Sequence, residues 1–220
     1  MNYRNIFLKD QDLIQYNIYK IYMQGILLLI FSFIFTFFIS KTTNLKPLIN
    51  YNDKNDYLPI FTSNLYADLL IIFITFTGIL GTSKSWKVLG NWYKKYRLSA
   101  MLADILIGVI YLLIARYVVY VLKWKVDLFQ FGVIAVLIQI LFDFLFYLFF
   151  KMIPKGSNDM LDLFKDWAKF AKADALWGDS ILVLVGVVLS SFLKEKSFNM
   201  NMFLLIIGGY LTPYIIYMKD

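Results

Sequence analysis

The chain of 220 residues contains no cysteine and no histidine. Without cysteine there are no disulfides, thiolate nucleophiles, iron–sulfur clusters or thiol-bound zinc. Without histidine the chain lacks the usual ligand of haem, copper and zinc and the usual general base near neutral pH. The sequence also shows no nucleophile–base pair, metal cluster or phosphate-cradling loop. It therefore predicts a protein that is not an enzyme and carries no cofactor.

Charge is scarce as well, and most of it lies in short segments between long apolar runs. Charged residues make up 17% of the chain and hydrophobic residues 60%, with a mean hydropathy of +0.64. These values are too apolar for one soluble domain. Because about 20 apolar residues in a helix span the hydrocarbon core of a bilayer, the repeated runs predict an all-α, polytopic transmembrane helix bundle.

Six spans are predicted within one bundle that covers residues 21–218. They lie at about residues 21–40, 65–83, 98–122, 128–150, 175–193 and 197–218. Residues 1–20 are polar and predict an N-terminal cytoplasmic or interfacial segment, either a surface helix or a frayed tail. A further amphipathic helix at about residues 157–173, directly before span five, predicts either an elbow or a docking face for anionic lipid or another protein.

Lysine and arginine are distributed unequally between the two ends of the spans. Fourteen lie on the side that holds both termini, and seven lie on the opposite side. By the positive-inside rule, both termini are expected in the cytoplasm. The connection after span two is predicted as a short basic loop without any acid, and it is a candidate face for lipid or a protein partner, with no nucleic acid expected. Its basic residues are Lys84, Lys87, Lys94, Lys95 and Arg97.

Two ionisable residues of opposite charge fall inside neighbouring spans. Asp68 lies near the predicted outer edge of span two, and Arg116 lies about six residues inside the outer edge of span three. Because a charge is costly in hydrocarbon, each is expected to relieve the burial of the other in an ion pair. The alternative is that Arg116 extends alone to the membrane surface along its long stem.

Further carboxyl groups are expected on the inner half of the bundle. Asp104 and Asp143 lie at similar depth on adjacent antiparallel spans, and Asp179 enters from the same side. Gln139 and Tyr147 share the helix face of Asp143 at a spacing of four residues. Two facing carboxyl groups predict either a proton or cation site, or a hydrogen-bonded clamp in which a neutral aspartate bonds to glutamine or tyrosine.

With these residues placed, the stretch from Arg97 to Ser180 resembles uncharacterised multi-pass membrane proteins of large nucleocytoplasmic DNA viruses. The resemblance covers about 40% of the chain. It implies no established activity, but it implies a viral membrane context, either the internal membrane of a virion or a host endomembrane. The motifs that carry it are Ala103-Asp104-Ile105-Leu106, Gln139-x-x-x-Asp143-x-Leu145-Phe146-Tyr147, Pro154-Lys155-Gly156-x-Asn158, Phe164-Lys165-Asp166 and Gly178-Asp179-Ser180.

Two functions from different classes follow from these observations. The first is a non-enzymatic structural or assembly protein that contacts lipid, a protein partner or further copies of itself through its basic, aromatic cytoplasmic face. The second is a small proton- or cation-coupled channel or transporter that uses Asp104, Asp143 and Asp179. The two differ in whether the intramembrane aspartates support a flux or only hold the helices together.

Overall fold

The computed structural model describes residues 25–79, 84–171 and 173–218. Within these ranges the backbone forms eight α-helices, one short 3₁₀-helix and no strand, which confirms the predicted all-α fold. The 3₁₀-helix is Lys54–Asp56. The α-helices, numbered in chain order, are α1 Gly25–Thr42, α2 Tyr57–Thr77, α3 Lys84–Tyr96, α4 Leu98–Val121, α5 Leu128–Met152, α6 Asp159–Ala171, α7 Ala173–Lys194 and α8 Phe198–Ile216.

Six segments of the described chain are long and apolar enough to cross a membrane. They are α1, α2 together with the 3₁₀-helix that precedes it, α4, α5, most of α7, and α8. The protein is therefore an integral, multi-pass membrane protein. α4, α5 and α8 begin at or within one residue of their predicted starts. The predicted N-terminal segment 1–20 lies outside the described residues.

Helix α2 lies at the centre of the bundle and α1 lies at its edge. α2 packs against α4, α7 and α8, and 56% of its span is buried, whereas only 6% of α1 is buried. α1 contacts α5 through Phe37 and Phe129, whose ring centroids lie 5.4 Å apart, and through an exposed Lys41–Asp127 ion pair. The centre of the bundle is thus built around α2.

Helix α2 begins eight residues before the predicted start at residue 65, so that prediction is wrong. Pro59 lies in the first turn, where a missing N–H costs the helix nothing. The helix therefore extends through a stretch whose polar residues had argued against a span. Asp68 consequently lies eleven residues inside α2, about 16 Å from its start, and not near its outer edge.

Three helices cross closely at Asn64 of α2. The amide Nδ2 of Asn64 donates to the carbonyl of Ile60 at 2.8 Å, which fixes the side chain against its own helix. Its Oδ1 lies directly against Gly108 of α4 and near Gly186 of α7. A Cβ atom at position 108 would overlap Asn64 Oδ1. The two glycines therefore allow α4 and α7 to approach α2 at this crossing.

The basic connection after α2 is helix α3, and not the predicted loop. Trp92 and Tyr93 on α3 are buried against the bundle, and the ring of Trp92 lies 4.8 Å from that of Phe164 on α6. α3 and α6 thus pack together across one end of the bundle, and we call this pair the α3–α6 layer. At Arg97 a φ of 49° turns the chain sharply from α3 into α4.

Side chains cap the helices that follow the connecting segments. Asp127 and Gln130 form a reciprocal capping box at the start of α5. The hydrogen bond from the Gln130 N–H, with help from Lys41, holds the pKa of Asp127 below its usual value. At the start of α6 the cap is Asn158, whose Oδ1 accepts N–H bonds from Met160 and Leu161.

Candidate functional site

A chain of hydrogen bonds around Asp143 joins α4, α5 and α7. The Tyr111 phenol on α4 donates to Asp143 Oδ1 at 2.6 Å, and the Gln139 amide donates to Asp143 Oδ2. The Ser180 hydroxyl on α7 donates to Gln139 Oε1 at 2.8 Å. All three donors are neutral. The structure therefore brings the predicted residues Gln139 and Asp143 together, with Tyr111 and Ser180 as their partners from neighbouring helices.

Tyr147 does not belong to this network, so its predicted place beside Asp143 is wrong. It is 40% exposed, and its ring packs edge-on against Phe150 at a centroid distance of 5.4 Å. Residues 144–149 of α5 are all exposed, so the buried face that holds Gln139 does not continue through Tyr147. Spacing along one helix placed Tyr147 correctly on a face but did not show where that face ends.

Asp104 does not share a hydrogen bond with Asp143, although the two were predicted to face each other. Its Oδ2 accepts the indole N–H of Trp92 on α3 at 2.9 Å. Asp179 on α7 lies within electrostatic range of both Asp143 and Asp104. Within the described part of the chain, none of these three carboxyl groups forms an ion pair with lysine or arginine. The acids thus share a region of the bundle in which all the hydrogen-bond donors are neutral.

Asp68 faces α3 and not Arg116. Its Oδ1 accepts a hydrogen bond of 2.8 Å from the Tyr93 phenol, and the residue is only 3% exposed. Burial and the neighbouring carboxyl groups of Asp104 and Asp68 raise the pKa of Tyr93 well above its usual value. Tyr93 is therefore a neutral donor that connects the surface helix α3 to the interior of α2.

The predicted Asp68–Arg116 ion pair is wrong, because Arg116 pairs with Asp56. Arg116 Nη2 lies 2.8 Å from Asp56 Oδ2, and both side chains are completely buried. The same nitrogen donates to the carbonyl of Asn50 at 2.5 Å and to that of Asp53 at 3.2 Å. The early start of α2 explains the change of partner, since it places Asp56 at the depth that had been assigned to Asp68. Arg116 does not extend alone to the surface.

Lys194, the last residue of α7, completes this second polar cluster. It forms an ion pair with Asp56 and another with Asp53, whose Oδ2 lies 3.1 Å from Nζ. The hydrogen bond from Lys194 holds the pKa of Asp53 below its usual value. We call Asp53, Asp56, Arg116 and Lys194 the charged cluster. It ties the ends of α4 and α7 to the start of α2.

The predicted basic face lies on α3, but its members differ in their surroundings. Lys87, Lys94 and Lys95 are exposed, while the side chain of Lys84 lies outside the described residues. Arg97 does not belong to this face, contrary to the prediction. Its Nη1 donates to the carbonyl of Ile216 at 2.6 Å, and its guanidinium lies 4.8 Å from the ring of Tyr217. Arg97 thus joins the α3–α4 junction to the end of α8.

Several residues of these sites were not predicted from the sequence to be site residues. Trp92 and Tyr93 carried a usable signal, since together with Val88, Leu89 and Tyr96 they recur at helical spacing. Asp56 and Lys194 carried no such signal. Both lie at the ends of connecting segments, where charged residues are common and do not indicate a site.

The network around Asp143 predicts a measurable cost for Tyr111→Phe. The substitution removes one buried hydrogen bond and leaves Asp143 Oδ1 without its donor. Hydrogen bonds between transmembrane helices average about 0.6 kcal/mol and reach about 1.7 kcal/mol, so we expect a loss of about 1 kcal/mol in the free energy of unfolding, measured by denaturant titration in mixed micelles. Tyr147→Phe, the matched control on an exposed tyrosine, should change little. Equal losses in the two variants would show that Tyr111 does not hold the helices together.

Comparison with protein-family models, with curated proteins and with solved structures finds no match to this chain.

Proposed function

We propose that this integral membrane protein is not an enzyme and has a structural or assembly role, with the α3–α6 layer as its surface for anionic lipid. The observation that carries the proposal is the two-sided character of α3. Trp92 and Tyr93 fix one side of the helix to the bundle, while lysines occupy the other side. A helix built in this way holds cationic groups at the level of lipid headgroups.

The cations of α3 have no acid on their own helix to neutralise them. Lys87, Lys94 and Lys95 are exposed, and α3 contains neither aspartate nor glutamate. The ammonium group of Lys94 lies 5.9 Å from the ring centroid of Phe76, and that of Lys95 lies 5.0 Å from the ring centroid of Tyr96. Both ammonium groups thus lie near aromatic rings, which suits long cationic side chains at a membrane interface.

The polar groups inside the bundle also suit a structural role. Asp143, Asp104 and Asp68 each accept a hydrogen bond from a different helix, and these bonds join α2, α3, α4 and α5. Ser180, beside Asp179, is hydrogen-bonded to Gln139, so it is not poised as a nucleophile beside a base. We further propose that the α3–α6 layer faces the cytoplasm, in a virion or host-derived membrane, where a protein partner or another copy of the chain is a second candidate for contact.

Charge reversal on α3 tests the lipid-binding surface. In the triple variant Lys87→Glu, Lys94→Glu and Lys95→Glu, we expect retention of anionic phospholipid to fall at least about tenfold, because each lysine near an anionic surface is worth about 1 kcal/mol. Native mass spectrometry of the detergent-solubilised protein, titrated with phosphatidylserine or with phosphatidylcholine, measures the retention. Binding of the zwitterionic lipid should not change.

The opposite end of the bundle offers a matched control. Lys46, Lys54 and Lys125 are exposed there, and their reversal to glutamate changes the net charge by the same amount. If this variant loses anionic lipid as strongly as the α3 variant, overall charge and not the α3–α6 layer governs binding. If neither variant loses lipid, the proposed surface is wrong.

A proton- or cation-coupled transporter is the second candidate, favoured by the acids that have no ion-pair partner among the described residues. Asp104, Asp143 and Asp179 lie near one another with neutral donors only. Proteoliposomes decide between the two functions. A flux that dissipates an imposed proton or sodium gradient and is lost in Asp143→Asn supports transport, whereas an Asp143→Asn variant indistinguishable from wild type in tight vesicles supports the structural role.

A further inference from the structure

The pair Asp68 and Asp104 lies where the surface helix α3 meets the centre of the bundle. Tyr93 donates to Asp68 Oδ1 at 2.8 Å, and Trp92, the neighbouring residue, donates to Asp104 Oδ2 at 2.9 Å. Because Trp92 and Tyr93 are neighbours on α3, the two carboxyl groups that they bind lie close to the same turn of that helix. Two adjacent side chains of α3 thus cover two carboxyl groups that belong to different transmembrane helices.

One oxygen of this pair is buried and has no donor. Asp68 is 3% exposed, and its Oδ2 has no hydrogen-bond partner among the described residues. A buried acceptor without a partner costs about 1–3 kcal/mol, and more when it carries charge. The described side chains around Oδ2 therefore leave it without the hydrogen-bond donor or bound proton that a buried carboxyl oxygen needs.

The surrounding charged groups do not provide a counter-charge. Among the described residues no lysine or arginine forms an ion pair with Asp68 or Asp104, and Arg97 donates to the end of α8. The acids of α6 lie near Lys95, and Asp179 of α7 adds negative charge near Asp104. Charged groups on the elements around the pair include Lys94, Lys95, Arg97, Asp143, Asp159, Asp162 and Asp179.

The ligand that fits these contacts is a proton. A bound calcium ion takes six to eight oxygen ligands, whereas the pair and Tyr93 offer few oxygens, and the described residues contain no group of three acids that suits a metal ion. A proton needs only one lone pair. It also removes one of two like charges that repel strongly when they are close and shielded from water.

We propose that Asp68 and Asp104 form a proton-binding pair inside the membrane, covered by Tyr93 and Trp92 of α3. The pair holds one proton at neutral pH, and Tyr93 donates its hydrogen bond to the carboxyl group of Asp68. The proton allows Asp68, which is buried, and Asp104, which is partly buried, to bind neighbouring residues of α3 without a cation. This site is separate from the lipid-binding surface on the exposed side of α3, so each proposal can fail without the other.

Infrared spectroscopy of the full chain in lipid nanodiscs tests the site, because a protonated carboxyl group has a carbonyl stretching band distinct from that of a carboxylate. At neutral pH we expect such a band in the wild type and a loss of its Asp68–Asp104 component in both Asp68→Asn and Asp104→Asn. Asp127→Asn is the control, since Asp127 has a lowered pKa and remains ionised. It should leave the band unchanged.

Tyr93→Phe separates proton binding from a merely structural contact. If Tyr93 donates to the protonated group, removing its hydroxyl shifts the frequency of the Asp68-dependent band without abolishing it. Helix content by circular dichroism identifies variants that have lost the fold, and in that case the pH titration of the wild-type band serves instead. The proposal is overturned if the wild type shows no Asp68-dependent band at neutral pH, or if the band does not respond to Tyr93→Phe.

Discussion

Replacing Arg116 by methionine is expected to lower the free energy of unfolding by about 3–5 kcal/mol. Arg116 and Asp56 are both completely buried, and their ion pair of 2.8 Å is accompanied by hydrogen bonds from Arg116 to two backbone carbonyls. Removing one partner of a buried pair leaves the other charge without full compensation, which accounts for the size of the loss. Denaturant unfolding in mixed micelles measures it.

An exposed ion pair in the same protein provides the control. Lys41 and Asp127 lie 3.1 Å apart with side chains that are 57% and 38% exposed. Lys41→Met should therefore cost only about 0–1 kcal/mol. In the double variant of Arg116→Met with Asp56→Leu, the loss should be smaller than the sum of the single losses, because neither charge is then left unpaired. Additive losses would show that the pair itself contributes nothing.

Replacing Gly108 by alanine is expected to cost about 1–3 kcal/mol. The new Cβ would overlap Asn64 Oδ1, and the amide cannot move away without losing its bond of 2.8 Å to the carbonyl of Ile60. Either α4 shifts away from α2 or Asn64 gives up that hydrogen bond, and forced repacking of a close contact has this magnitude. The same unfolding measurement applies.

Gly209 on α8 is the matched control, because no atom lies within 4 Å of the Cβ that alanine would add there. Gly209→Ala should be neutral, or more stable by up to about 1 kcal/mol through helix propensity. The double variant Gly108→Ala with Asn64→Ala should recover part of the loss by removing the overlapping oxygen. If Gly108→Ala is no worse than Gly209→Ala, the crossing at Asn64 is not tightly packed.

The positions of most spans could be predicted because a bilayer imposes one length and one polarity on every crossing helix. That constraint acts on each segment alone, so α4 and α5 were found from their own residues. It fails where a helix continues into protein instead of lipid. The first turns of α2 contain Asn64, Ser63 and Thr62, all buried against other helices, and their polarity concealed the true start of the span.

The candidate sites were predictable only in part, since they depend on which helices are neighbours. Gln139 and Asp143 lie one turn apart on α5, and their hydrogen bond follows from that spacing. The partners Tyr111 and Trp92 come from other helices, and Asp56 comes from a connecting segment. A misplaced helix start was enough to assign Arg116 the wrong acid, because depth along two helices was the only available criterion.

The two ends of the bundle are held by different chemistry. Arg116, Asp56 and Lys194 join helix ends through ionic contacts at one end, while Tyr111, Tyr93 and Trp92 bind carboxyl groups through neutral donors toward the other. Ionic contacts weaken with salt where they reach water, as at Asp53 and Lys194, whereas neutral bonds inside the bundle do not.

The residues of the charged cluster are synthesised one after another as the ribosome extends the chain. Asp56 is made first, Arg116 follows 60 residues later, and Lys194 follows Asp56 by 138 residues. A nascent chain that has inserted α4 but not α7 therefore carries an aspartate with one of its two cationic neighbours. Neutralisation of Asp56 is completed only when the fifth crossing segment enters the bilayer.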